Sequence, residues 1–346
     1  MTVELIELIA AQGVFRPRGH FSQLAADHVP FDRLTGREGY EAAALQAVSN
    51  DEPVGVVGAR GAGKSSLIAY VCGRLPDTHV ALRVPVTGAD DPTSVSVMAA
   101  VALSQALDDL DLERYQRDAL SRARADQHTE HRTPGGLRGG TLGGGPVPAQ
   151  VHGELGTLRQ ELASNRLASE RLAGLDRLIT ILVARRLQPV FVLEDTEAAI
   201  GGADQPEVAE AFLTGPVRAF VAELESPCLI AIQTLFTGSY AYAQIAAQLR
   251  VIEIPTLTDA TAPEALPAIV NNRLEQYELA ADAQAVLAPE VTEQLIGFYD
   301  ETGHSLRFTL AALQTAAEYA ADMRAQRIGP GHVRAALSDW RSRITP

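Results

Sequence analysis

The chemistry of this chain is concentrated around one lysine. The segment Gly58-Ala59-Arg60-Gly61-Ala62-Gly63-Lys64-Ser65-Ser66 satisfies the pattern G-x-x-x-x-G-K-[ST] through Gly58, Gly63, Lys64 and Ser65. The spacing has a physical reason. Glycines let successive backbone N–H groups curl around phosphate oxygens without Cβ clashes. The start of the following helix adds the positive end of its dipole. Lys64 supplies a compact ammonium for the outer phosphates, a role that the planar fork of Arg fills poorly. Ser65 offers a hydroxyl to Mg²⁺. Of the 29 basic residues, Lys64 is the single lysine and the other 28 are arginine, so a surface cation chosen at random would be Arg. The implied ligand is a nucleoside triphosphate with Mg²⁺, held by Gly58 through Ser66.

A second set of candidates follows the apolar run Pro189-Val190-Phe191-Val192-Leu193, which ends in Glu194-Asp195-Thr196-Glu197. A P-loop enzyme needs one carboxylate for the metal and one for the attacking water. Such enzymes usually place Asp before Glu, and here the order is Glu194 then Asp195. Counting register from the end of the apolar run gives Glu194 the metal role and Asp195 the catalytic one. Ser65, Glu194 and Asp195 are then the metal candidates. The longer acid at the metal and the shorter one at the water predict slow hydrolysis, and two solvated acids at a strand end remain the plain alternative.

Elements that alternate between strand and helix must position these groups. Strands are expected at Val54–Val57, His79–Val86, Pro189–Leu193, Pro227–Ile232 and Arg250–Pro255, which predicts an α/β fold with a five-stranded parallel sheet sandwiched by helices. Helices are expected from about Thr93 to Ala125 and from Glu154 to Arg186, and the N-terminal MTVELIELIAAQ suits a short amphipathic helix. Between the two long helices lies a segment, about 127–150, read as a flexible insertion. It carries seven glycines in the fifteen residues from Pro134 to Pro148. From Thr258 onward the pattern is helical. The expected organisation is a lead-in over 1–50, a nucleotide-binding αβα domain over 51–256, and a small all-helical lid over 257–346.

With these segments in order, the chain resembles the AAA+ P-loop ATPases, and among them the origin-recognition and initiator-like branch. Besides the two nucleotide motifs, Leu34-Thr35-Gly36-Arg37-Glu38 resembles the family's G-R-E segment. The resemblance implies a place near the adenine, with Gly36 and Arg37 as binding candidates. Gln233 (or Thr234), after the fourth strand, falls where the family has a polar sensor of the γ-phosphate. Thr302-Gly303-His304-Ser305-Leu306-Arg307 resembles the lid segment whose arginine returns to the nucleotide. Arg327-Ile328-Gly329-Pro330-Gly331-His332-Val333 resembles the helix start that closes the lid. The resemblance therefore gives Gln233 and Arg307 catalytic roles beside Glu194 and Asp195. Arg250 stands where related proteins place an arginine that reaches a neighbouring subunit, although an ordinary surface cation explains it as well. The winged-helix domain with which initiators read DNA is not expected after Trp340.

Composition narrows the partners. A net charge of −14 argues against a broad nucleic-acid surface. DNA is thus possible as a partner but not favoured, and self-association or a protein partner is expected instead. No run of 18 apolar residues occurs and no membrane association is expected. The N-terminus lacks the pattern of a signal peptide. Cys72 and Cys228 sit in apolar surroundings, consistent with reduced thiols in a cytoplasmic protein. The expected activity is ATP hydrolysis, slow in view of the acid pair, coupled to conformational change or assembly. Two alternatives stand beside it: a nucleotide-dependent switch or scaffold of the STAND type, and a DNA-associated helper ATPase in replication, transposition or defence.

Overall fold

A computed structural model describes residues 2–17, 21–36, 39–109, 158, 168–200, 206–224 and 226–344. Five parallel strands form its centre: β1 (Val54–Gly58), β2 (His79–Pro85), β3 (Gln188–Glu194), β4 (Cys228–Gln233) and β5 (Arg250–Glu253). Their spatial order is β2-β3-β4-β1-β5. The three inner strands are apolar and almost wholly buried, as expected of strands covered on both faces. The period of two sorts their side chains. Val57, Phe191, Leu193, Ile230 and Ile232 enter the core on one face. Val54, Val56, Val190, Val192, Leu229 and Ala231 enter the other. A one-residue slip in register would exchange the two sets. Each fully buried side chain of this size stabilises the fold by about 1.5–3 kcal/mol.

The helices are α1 (Thr2–Gln12), α2 (Phe21–Asp27), α3 (Phe31–Thr35), α4 (Tyr40–Ser49), α5 (Lys64–Cys72), α6 (Val95–Asp109), α7 (Ala168–Ala184), α8 (Thr196–Ala199), α9 (Pro206–Phe212), α10 (Tyr240–Ala246), α11 (Ala262–Gln276), α12 (Ala283–Val286), α13 (Pro289–Glu301), α14 (Leu306–Asp322) and α15 (Pro330–Ile344). Helices α6, α7, α9 and α10 share one sheet-facing core, and α3, α4, α5 and α11 share the other. A third core joins α11 to α15 with the N-terminal helix. Ile6, Ile9 and Phe15 pack there against Leu313, Ala316 and Ala317 of α14. Gln314, buried in α14, accepts from the Phe15 N–H at 3.0 Å and donates to the Ala10 carbonyl at 3.2 Å. The N-terminal helix thus packs with the C-terminal helical body, an association its short amphipathic pattern does not announce.

Three expected boundaries move for physical reasons. Strand β3 includes Glu194, because its ladder with β2 continues to the pair Pro85–Glu194. Strand β2 stops at Pro85, and Val86–Gly88 forms a single tight turn. Helix α6 starts at Val95, after a turn in which Asp91 accepts from the Thr93 N–H at 3.0 Å. The remainder of that expected helix, the glycine-rich segment and most of 154–167 lie outside the described residues.

Candidate phosphate-binding site

The phosphate loop leaves β1 at Gly58, inside the sheet, with β4 on one side and the edge strand β5 on the other. A crevice at the carboxyl end of such a sheet is where α/β folds bind ligands. Gly61 (φ 76°) and Gly63 (φ 108°) adopt backbone conformations that L side chains resist, and helix α5 begins directly at Lys64. Lys64 is 3% exposed. Its Nζ donates to the carbonyls of Gly58 at 3.1 Å and Ala59 at 2.8 Å, and to Glu197 Oε1 at 2.7 Å. Burial pushes the Lys64 ammonium below its usual pKa; the Glu197 carboxylate opposes that shift, and Arg307 and Arg60 reinforce it. The Gly61 N–H also points at Glu197 Oε1, at 3.4 Å. Ser65 and Ser66 are half-buried and line the same cavity.

The helical body closes over this loop. Arg307, at the start of α14, donates its backbone N–H to the Gly61 carbonyl at 3.2 Å. Its guanidinium lies 3.9 Å from Glu197 Oε2 and is half exposed, so it overlooks the cavity. Ser305 caps α14 by accepting from the Phe308 N–H at 3.4 Å. Beyond the loop the cavity is lined by the apolar side chains of Val29, Phe31, Leu34, Ile269 and Leu310. A polar cradle continuous with an apolar lining suits a phosphorylated ligand with a flat base.

The acids after β3 divide sharply. Glu194 is buried and accepts from Arg83 of β2, whose Nε lies 2.8 Å from Oε1. Asp195 is exposed and left-handed (φ 57°) at the start of α8. Both line the cavity, but Glu197 is the carboxylate that touches the loop. Gln233 is buried at the end of β4, directly beside Gly58 in register, and is not part of the cavity wall. Gly36 ends α3 (φ 67°) with its N–H on the Asp32 carbonyl at 2.8 Å, and it too lies off the cavity wall. Arg37 and Glu38 lie outside the described residues. Arg250 is exposed and paired with Val54, at the opposite end of the sheet from the loop of its own chain.

Sequence reasoning passed over four further residues. Besides Glu197 these are Asp27, His28 and Arg273. Arg273 Nη1 lies 2.7 Å from Asp27 Oδ2, an almost fully buried ion pair that ties α2 to α11 at the edge of the cavity. His28 Nε2 donates to Glu41 Oε1 at 2.9 Å, since a carboxylate only accepts, and its Nδ1 meets Ser66 Oγ at 3.0 Å. Glu41 also accepts from the Phe31 N–H at 2.8 Å. Burial acts to raise the Glu41 pKa, but the His28 and Phe31 hydrogen bonds outweigh it and hold the carboxyl below its usual value. None of the four belongs to a short motif. The available signal was weak: an acid three residues past an apolar strand, and polar residues just before Val29-Pro30.

The site fits the groups that its motif implies. Glu197 is a stand-in anion that already satisfies Lys64 and the Gly61 N–H, so the donor set matches a phosphoryl oxygen. Among the described residues no group of three or more His, Cys, Asp and Glu side chains is arranged to hold a metal alone. A Mg²⁺ bound mainly through phosphate oxygens and water needs only one or two protein ligands. The Ser65 hydroxyl and a carboxylate of Glu194 or Asp195 have the chemistry for that.

A five-stranded parallel sheet, a P-loop leaving β1 between β4 and β5, and a helical body seated on that loop make up the AAA+ P-loop fold seen in solved origin-recognition proteins. Solved structures agree. The chain is similar to the Aeropyrum pernix ORC1 protein in complex with DNA, with TM-score 0.51 and 16% identity over 89% of this chain and 67% of that one. It is also similar to the Aeropyrum pernix ORC2 protein in ADPNP–ADP complexes, with TM-score 0.52 and 14% identity over 95% of this chain and 71% of that one. At such identities the likeness is one of fold. No protein-family model matches the chain, and no curated protein matches its sequence.

Proposed function

We propose that the chain binds Mg-ATP in the cavity above Lys64 and hydrolyses it slowly, coupling nucleotide occupancy to movement of the helical body on the loop. One observation carries this reading: Lys64 Nζ and the Gly61 N–H already converge on a single anionic oxygen, that of Glu197. A phosphoryl oxygen presents the same chemistry with more charge. Ser65 and one of the acids Glu194 and Asp195 complete the Mg²⁺ set, Arg307 approaches the outer phosphates, and the apolar part of the cavity lined by Phe31 and Ile269 takes the base.

A second reading is a nucleotide-dependent switch that retains ATP with little turnover. The Arg83–Glu194 pair favours it, because a buried carboxylate already committed to an arginine is a poor metal or water ligand. The Aeropyrum pernix ORC1 protein is in complex with DNA, but the net charge of −14 gives no reason to extend that contact to this chain.

Titration calorimetry with Mg-ATP, followed by steady-state turnover, tests both readings. Binding with turnover above about 1 s⁻¹, abolished in Asp195→Asn, supports the enzyme reading. Tight retention with negligible turnover supports the switch. Absence of ATP binding removes both.

A further inference from the structure

Glu197 has no role in the phosphate-loop pattern, yet its side chain reaches the loop's lysine and one of its backbone N–H groups. Its Oε1 accepts from Lys64 Nζ at 2.7 Å and from the Gly61 N–H at 3.4 Å. Its Oε2 lies 3.8 Å from Arg60 Nε and 3.9 Å from Arg307 Nη1. The local fold aims it there. Asp195 turns the chain through a left-handed conformation, and the Thr196 hydroxyl pins α8 to the Ala231 carbonyl of β4 at 2.9 Å. The next residue faces the loop.

The Lys64 ammonium has three protons and three partners: the Gly58 carbonyl, the Ala59 carbonyl and Glu197. A phosphoryl oxygen that reaches Lys64 must displace one of them. The two carbonyls are part of the loop backbone. Glu197 is the partner that leaves by side-chain rotation, and two anions at one ammonium repel each other.

We infer that Glu197 is a tethered anion occupying the phosphate cradle, which the terminal phosphates of an incoming nucleotide must displace, and that it thereby sets the affinity of the site. The inference rests on the nucleotide reading above and adds a regulator to it. Because the competition is at the phosphates, it applies to inorganic pyrophosphate as it does to ATP. A cradle free of Glu197 in about one molecule in ten lowers apparent affinity about tenfold relative to an open one.

The test is calorimetric titration of the full chain with ATP and separately with inorganic pyrophosphate, for wild type, Glu197→Gln and Glu197→Asp. Glu197→Gln is expected to bind both ligands about tenfold tighter than wild type. Glu197→Asp, one methylene shorter, is expected to fall between them. If wild type binds and Glu197→Gln binds equally or more weakly, the competition is overturned while the nucleotide site stands. If no form binds either ligand, the nucleotide reading fails and the inference falls with it. Should Glu197→Gln not fold, because buried Lys64 has lost its anionic partner, Glu197→Asp decides: tighter binding supports the inference, and unchanged or weaker binding overturns it.

Discussion

The backbone N–H of Arg307 donates to the carbonyl of Gly61 across 3.2 Å, so helix α14 begins on the phosphate loop itself. A ligand that reshapes the loop therefore acts on the helical body through a hydrogen bond between two main chains. No long side chain intervenes to absorb the displacement.

Gly61→Ala tests that contact. The added Cβ would stand 2.3 Å from Ser305 Oγ and 2.9 Å from Arg307 Cβ, at a φ of +76° that L residues resist. The expected cost is about 1–3 kcal/mol. Denaturant unfolding reads the loss, and hydrogen exchange at the Arg307 amide should quicken beyond the global change. An exchange rate at that amide equal to wild type's would count against the coupling.

Lys64→Ala should abolish ATP binding while leaving circular dichroism and cooperative unfolding intact. The substitution removes one buried ammonium and leaves Glu197, partly exposed, with the Gly61 N–H and the nearby arginines. Calorimetry with Mg-ATP checks it, and an unchanged affinity would sink the central reading.

The Asp27–Arg273 pair predicts a large and non-additive effect. Arg273→Met leaves the Asp27 carboxylate buried without its 2.7 Å partner. Breaking one side of such a pair costs about 3–5 kcal/mol, whereas replacing both sides with apolar groups of similar size is often near neutral. Asp27→Leu combined with Arg273→Met should thus be more stable than Arg273→Met alone, as read from urea midpoints.

Glu41 predicts a pH dependence of known sign. Its folded pKa lies below the ordinary value of 4.5. A depressed carboxyl contributes stability that is present above the unfolded value and lost as pH falls through the folded one. Glu41→Gln should cost about 1–3 kcal/mol near neutrality. That gap should narrow below pH 4.5. A gap that stays constant from neutral pH to well below that value would exclude the linkage.

The sheet was legible because its inner strands are short apolar runs bounded by Gly, Pro and charge, and burial on both faces leaves little choice of residue. Val54 to Gly58 and the loop after it read directly, since the positive φ of Gly61 and Gly63 favours glycine. The acids read less well. Glu194, Asp195 and Glu197 are equivalent in sequence, and their fates separate only in three dimensions: one meets Arg83, one faces solvent, one meets Lys64. Those partners lie 111 and 133 positions away. Likewise nothing local ties Asp27 to Arg273 or Ile6 to α14, because such pairs follow from how the helical body docks.

The packing of α1 in the core of α11 to α15 gives that body both ends of the described chain. Main chain therefore crosses from it to the sheet-bearing part twice, once after α1 and once before α11. A flap attached at one point swivels freely, but one attached at two points behaves as a door on two hinges. Any closure of that body over the phosphate loop carries α1 with it, so a reporter fused ahead of Thr2 is expected to move with the C-terminal helices and not with the sheet.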